Sequence, residues 1–261
     1  MDLGLKGRTV LVLGAGGGLG RAIASSFAAE GANLALADVD ASALEETAAA
    51  VRAHGVPACA LAWDLADADA LEGHIAQVEA QLGPVDVLIN NTGGPPPTPA
   101  HGQSPALWQK SFEAMVLSVI RITDRVLPGM RARGWGRIVT STSSGVVAPI
   151  ANLGISNALR LSLVGWSKTL AREVAADGVT ANIVLPGRIA TPRIGFLDQA
   201  KAEREGRPVA DVTAESTASI PMKRYGTPQE YAQGVVFLAS DAASYITGTV
   251  LRIDGGLIAS V

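Results

Sequence analysis

The sequence predicts a doubly wound α/β fold: a parallel sheet of about seven strands in a single domain over residues 1–261. Three observations carry that expectation. Short apolar runs alternate with longer segments of helical period. Most of the runs are apolar on both faces, as strands of a parallel sheet covered by helices must be. No repeat and no interdomain linker breaks the alternation, and α/β chains of this length are routinely one domain.

Taken in order, TVLVLG (9–14) reads as the first strand, and Leu19 to Glu30 follows with helical period. NLALAD (33–38) is the second strand. Leu44, Ala48 and Val51 then fall on one helix face. PACALAWD (57–64) is the third, followed by a face of Leu71, Ile75, Val78 and Leu82. VDVLIN (85–90) and GRIVTST (136–142) flank a long helical stretch, Trp108 to Arg133. A second long stretch, Ser156 to Ala176, leads to VTANIVLP (179–186). Thr227 to Ser240 is the last helix, where Thr227 and Glu230 have the spacing of a capping box. GTVLRID (248–254) closes the sheet. Strand–helix–strand order implies right-handed crossovers.

Two stretches fit no element. GGPPPTPAHGQSP (93–105) and Arg188 to Met222 (188–222) each follow a strand. Ligands of open α/β sheets bind beyond the carboxyl ends of the strands, and long loops there are usually functional. Both stretches are expected to wall or cover a ligand site.

Hydrophobic residues make up 48% and aromatics only 4%, so aliphatic side chains must fill the core. A net charge of −3 gives no electrostatic case for nucleic acid or an anionic membrane. The one cysteine, Cys59, forms no internal disulfide, which suits a reducing compartment. The apolar run near the start breaks into glycines and does not read as a signal peptide. The longest uncharged stretch, Ile138 to Leu159, is dotted with Thr, Ser and Asn and makes a poor membrane span. A cytoplasmic protein is expected, without nucleic-acid, membrane or metal partners.

LGAGGGLGRAIA (13–24) joins the first strand to the first helix, with Gly14, Gly18 and Gly20 spaced G-x-x-x-G-x-G. Such a turn lets backbone approach a pyrophosphate closely and presents helix N–H groups to it. Dinucleotide binding on a Rossmann-type sheet is expected, although small residues at a plain strand-to-helix turn would look alike. Asp38 ends the second strand, 18 residues after Gly20. An acid there accepts hydrogen bonds from ribose hydroxyls and repels a 2′-phosphate. No basic neighbour offsets it, which favours NAD and places NADP second; a loop acid or helix cap is the plainer alternative. Asp64 could reach the adenine edge or cap a helix.

Together these residues resemble the short-chain dehydrogenase/reductase family over essentially the whole chain. The glycine spacing is similar, with Leu13 where Thr is common. NNTG (90–93) resembles its N-N-A-G segment, PGRIATP (186–192) its P-G-x-I-x-T stretch, and ITGTVLRIDGG (246–256) its closing strand. The resemblance implies cofactor contacts from Gly14, Gly18, Leu19, Gly20, Asp38 and Asp64. It adds Leu65, Asn91, Gly93 and Arg160, then Pro186, Gly187, Ile189 and Thr191, the last two facing the nicotinamide carboxamide.

The family's reaction site is a Ser, a Tyr and a Lys, often with an Asn. Tyr exchanges a proton with the substrate oxygen, Lys holds the nicotinamide ribose, Ser positions the carbonyl and Asn anchors a water relay. Ser143 matches the family serine, with Ser144 one residue away. The tyrosine slot falls on Ser156, the lysine slot on Arg160 and the asparagine slot on Met115, so Y-x-x-x-K becomes S-x-x-x-R.

Residues four apart share a helix face, so Ser156 and Arg160 should point the same way. A guanidinium can donate to ribose hydroxyls but does not shuttle protons. A serine is short, and a water can bridge it to a substrate oxygen. The expected activity is NAD-dependent interconversion of a carbonyl and a secondary alcohol, with Ser143, Ser156 and Arg160 as the catalytic set. His101 and Tyr225 are candidates for a replacement proton donor. The rivals are a catalytically silent NAD-binding subunit beside an active relative, and a non-redox dehalogenase-like lyase. The resemblance also implies a homodimer or homotetramer built on the long helices and last strand.

Overall fold

The computed structural model describes residues 2–260. Its centre is one parallel sheet of seven strands: β1 (Thr9–Leu13), β2 (Asn33–Asp38), β3 (Ala58–Ala62), β4 (Val87–Asn90), β5 (Gly136–Ser141), β6 (Val179–Pro186) and β7 (Val250–Ile253). The spatial order is β3-β2-β1-β4-β5-β6-β7. The order reverses at β1, which pairs with β2 on one side and β4 on the other. A crevice opens at such a reversal, beyond the carboxyl ends of the strands. β1, β4 and β5 are buried along their whole length, as the two-faced apolar runs require.

The helices are α1 (Gly18–Ala29), α2 (Ala41–Arg52), α3 (Leu71–Leu82), α4 (Pro105–Phe112), α5 (Ser118–Ala132), α6 (Gly154–Val174), α7 (Pro192–Glu205), α8 (Val209–Ser219) and α9 (Pro228–Leu238). Two core layers lie on opposite faces of the sheet. One packs α1, α2 and α9 through Ile23, Phe27, Ala48 and Val235. The other packs α3, α5 and α6 through Ile75, Val126 and Leu170. At the start of α9, Glu230 N–H donates to Thr227 Oγ1 at 3.2 Å and Thr227 N–H donates to Glu230 Oε2 at 2.7 Å, the expected capping box.

Two expectations need correction. The stretch 188–222 is helical in large part, since α7 and α8 occupy it. They bury few residues, Asp198 and Ala202 in one and Val212 and Ser216 in the other, so no apolar stripe marks them. The expected helix from Trp108 to Arg133 is broken by a π-helical turn at Glu113–Leu117 between α4 and α5. That turn packs Met115 against Ile155 and Leu159 of α6.

Candidate active site

The carboxyl ends of β1, β4, β5 and β6 border a cavity of about 750 Å³. Its wall begins at the turn between β1 and α1. Gly14 has φ +62°, and a Cβ there would press on the Asn91 carbonyl at 2.5 Å. A Cβ on Gly20 would overlap the Gly14 carbonyl oxygen. Asn91 Nδ2 donates to the carbonyls of Leu13 (3.2 Å) and Gly14 (3.3 Å), tying the turn to the end of β4. Gly17, the N-cap of α1, offers no side chain, so no capping group claims the first N–H groups of the helix. The turn therefore fits a pyrophosphate. Gly18 touches Thr191: a Cβ on it would stand 3.0 Å from Thr191 Cγ2.

Asp38 closes the β2 side. Its Oδ2 accepts from Gly16 N–H at 2.9 Å and its Oδ1 from Asp40 N–H at 3.1 Å. Gly14, Gly18, Leu19, Gly20, Asp38, Leu65, Asn91 and Gly93 all line the cavity, as do Pro186, Gly187, Ile189 and Thr191. Asp64 is the exception. It is exposed, its Oδ1 accepts from Ala66 N–H at 3.0 Å in a local turn, and it lies off the wall. Its buried neighbour Trp63 lines the cavity instead.

Ser143, Ser156 and Arg160 meet on the β5–α6 side of the same cavity. Ser143 Oγ accepts from Gly145 N–H at 3.1 Å, which leaves its own O–H free to donate. Ser156 is buried and faces the cavity one helical turn before Arg160. The Arg160 guanidinium donates from Nη1 to Ser141 O (3.3 Å) and from Nη2 to Thr92 O (3.1 Å) and Gly93 O (3.0 Å). Burial pushes its pKa down to about 10, against a weaker attraction to Tyr231, and Arg193 adds to the lowering. No carboxylate among the described residues pairs with it.

The replacement proton donors are elsewhere. His101 is exposed and off the cavity wall. Tyr225 Oη donates to Asp198 Oδ2 at 2.5 Å. Tyr231 is fully buried behind β5, its hydroxyl 2.7 Å from Ser141 Oγ, and burial pushes its pKa up. Tyr245 is fully exposed. Met115, in the asparagine slot, is core and lies off the wall. Among the described residues the wall holds no tyrosine, lysine, histidine or cysteine. The sequence reading did not single out Thr142, whose buried Oγ1 has no partner, nor Arg188 and Arg193, which enter the wall from the stretch expected to form a lid.

A family model described as enoyl-(acyl carrier protein) reductase matches residues 14–258. The chain belongs to the short-chain dehydrogenase/reductase family. Among this family's members, nodulation protein G of Azospirillum brasilense is 36% identical, covering 96% of this chain and 98% of its own. The 3-oxoacyl-(acyl-carrier-protein) reductase of Escherichia coli is 35% identical, covering 98% and 99%. The crystal structure of L-sorbose reductase from Gluconobacter frateurii, complexed with NADPH and L-sorbose, superposes with a TM-score of 0.94 at 31% identity over the whole of both chains. The placing of NADP second is thereby corrected as a family matter. The sorbose reductase holds NADPH, so membership of this oxidoreductase family gives no ground for ranking NAD first. Among the described residues no helix is long and apolar enough to cross a membrane, and no cluster of His, Cys, Asp or Glu could hold a metal ion.

Proposed function

We propose that the protein is an NAD(P)-dependent oxidoreductase that interconverts a carbonyl and a secondary alcohol through an atypical proton-transfer site. One observation carries this reading: the glycine turn and the group Ser143, Ser156 and Arg160 line a single cavity. A bound nicotinamide supplies or takes the hydride. The chain's part is to orient, to donate hydrogen bonds and to exclude water. Ser143 donates its O–H to the reacting oxygen. Ser156, being short, passes the proton through a bridging water. Arg160 ties the loop after β4 to the end of β5 through its bonds to the Thr92, Gly93 and Ser141 carbonyls and places positive charge beside the developing alkoxide. Holding the ribose falls to its remaining N–H groups.

On the adenosine side, Asp38 supports NAD(H), because a carboxylate held at the end of β2 opposes a 2′-phosphate. The NADPH in the sorbose reductase argues for NADP(H). Calorimetry with NADH and NADPH decides between them. Turnover is tested with a panel of ketones, oxoacyl thioesters and secondary alcohols, read by nicotinamide absorbance. Cofactor binding without turnover on the whole panel would overturn the enzymatic reading.

That outcome is the second reading, a cofactor-binding subunit without chemistry of its own, partnered by an active relative. It is favoured by the absence of any tyrosine, lysine or histidine from the described wall. A homodimer or homotetramer is part of the first reading and a hetero-oligomer with the active relative part of the second; Phe112 at the end of α4 and Leu161 of the long helix α6 stand exposed. A cytoplasmic location is proposed on the single buried cysteine.

A further inference from the structure

The charges around the cavity do not balance. Three arginines, Arg160, Arg188 and Arg193, line it with one acid, Asp38, among the described residues. Asp38 lies at the end of β2 and is engaged with Gly16 N–H. Arg188 is matched by Asp198, 3.5 Å away. Arg160 and Arg193 pair with no carboxylate among the described residues. Both instead donate to carbonyls of one loop, Arg160 to Thr92 and Gly93 and Arg193 to Pro95 at 2.9 Å.

The two guanidiniums also border the same small volume. A methyl carbon on Gly94 would stand 3.4 Å from Arg193 Nη2 and 3.7 Å from Arg160 Nη2. Arg160 is only 8% exposed, and burying one charge beside a like one is unfavourable unless an opposite charge joins them. Carbonyl dipoles offset part of that cost. An anion between the two guanidiniums would offset the rest.

We propose that the substrate carries a carboxylate, held between Arg160 and Arg193 at Gly94, with its reacting oxygen toward Ser143 and Ser156. This rests on the oxidoreductase reading for the chemistry, though not for the anion. Arg193, with a single N–H given to Pro95 O, can meet a planar carboxylate with paired N–H groups, while Arg160, whose Nη2 is taken up by Thr92 O and Gly93 O, contributes its charge. Ile150, Leu153 and Leu197 add apolar surface to the same cavity, which suits the carbon chain of a short oxo or hydroxy acid. The other source of negative charge is the cofactor's own pyrophosphate. Its expected cradle is the Gly14–Gly20 turn, whereas Arg193 is anchored on Pro95 beyond β4.

The test is calorimetric titration of the NADH-saturated protein with two matched pairs: acetoacetate against 2,4-pentanedione, and 2-oxobutanoate against 2,3-pentanedione. Within each pair the acid should bind at least tenfold more tightly. Arg193→Gln should erase that advantage while leaving Tm and NADH affinity in place, and Arg193→Lys should restore part of it. Arg193 is the deciding variant because it is exposed and makes a single carbonyl contact, to Pro95, whereas Arg160→Met removes three. Acids that bind no better than their neutral partners, or not at all, would overturn the inference. So would an advantage that survives Arg193→Gln. If Arg193→Gln weakens NADH instead, the anion is the pyrophosphate and only the substrate inference falls. If NADH does not bind, the titrations are run on the NADPH-saturated protein; if neither cofactor binds, the oxidoreductase reading fails, and the same titrations on the apoprotein still decide the carboxylate preference.

Discussion

The two halves of the cavity wall are built from different materials. From β1 to β4 the wall is mostly backbone: glycines at the β1–α1 turn, helix N–H groups and main-chain carbonyls, with Asp38 and Asn91 bracing the turn. From β5 onward it is side chains projected from α6, α7 and the strand ends. A backbone site tolerates few substitutions, because a single added Cβ meets a carbonyl. A side-chain site on a helix face accepts new residues without disturbing the helix. On the proposed slot assignment, that difference is what lets one chain keep its glycine turn while Ser156 and Arg160 occupy the positions expected of a tyrosine and a lysine.

The largest effect should come from attacking the backbone half. Gly20→Ala puts a methyl into the Gly14 carbonyl. It should lower stability by about 1–3 kcal/mol and abolish measurable dinucleotide binding by calorimetry. Gly178→Ala is the control. Its φ of +73° and its contact with the Gly134 carbonyl make it comparably destabilising, yet it lies far from the wall. Thermal unfolding should drop in both, and cofactor affinity only in the first. Equal cofactor loss in the two would erase the distinction between the halves.

The side-chain half should instead be open to rebuilding. Ser156→Tyr with Arg160→Lys restores the family pair on one helix face. Turnover on any carbonyl the wild type accepts should rise by up to about 10²-fold, short of a full general-acid contribution because Met115 still occupies the relay position. Ser156→Tyr alone should gain less. The rebuilt enzyme should also acquire a pH-dependent limb in kcat that the wild type lacks, since it adds a phenol to a wall that has none. A double variant that loses wild-type activity would mean that Ser156 and Arg160 form a working site of their own.

Arg160→Met probes the seam between the halves. Leaving the buried Ser141 carbonyl and the less buried Thr92 and Gly93 carbonyls without their donor should cost about 1–3 kcal/mol in chemical unfolding. NADH should bind roughly tenfold more weakly, because the Thr92–Gly93 loop loses its anchor and the ribose a charged donor. An unchanged affinity would make Arg160 a purely structural brace. The smallest effect is expected at Asp38→Ala, which should raise affinity for NADPH relative to NADH by about tenfold. An unaltered ratio would show that Asp38 serves only Gly16 and Asp40.

Much of this was legible in the sequence. The seven strands could be read because most of them, β1, β4 and β5 above all, are buried on both faces and therefore largely apolar, and the glycine turn because backbone approach requires that spacing. α7 and α8 could not be read, since what they bury includes Asp198 and Ser216 rather than an apolar stripe. The π-helical turn leaves no periodic signal, as it shifts register by one residue within an otherwise helical run. Asp64 shows the limit of such reading, because an acid at a strand end can contact a ligand or, as its Oδ1 does here, accept from a local turn, and the sequence looks the same in both cases. Arg193 was one cation in a charged stretch, and only folding shows that no acid among the described residues meets it.

The cover over the cavity has a mechanical property that follows from Asp198. This buried carboxylate accepts from Tyr225 Oη and from Thr213 Oγ1 (3.1 Å) and pairs with Arg188. Arg188 stands where the chain leaves β6, Thr213 is on α8, and Tyr225 is where the chain returns toward α9. One side chain of α7 therefore knots both ends of the excursion to its middle. The bridge between Ile189 and Gly226 staples the same two ends together. Tied in this way, α7 and α8 are braced to each other and to both ends of the excursion, so the segment holds together as one body beside the cavity instead of as two separate helices.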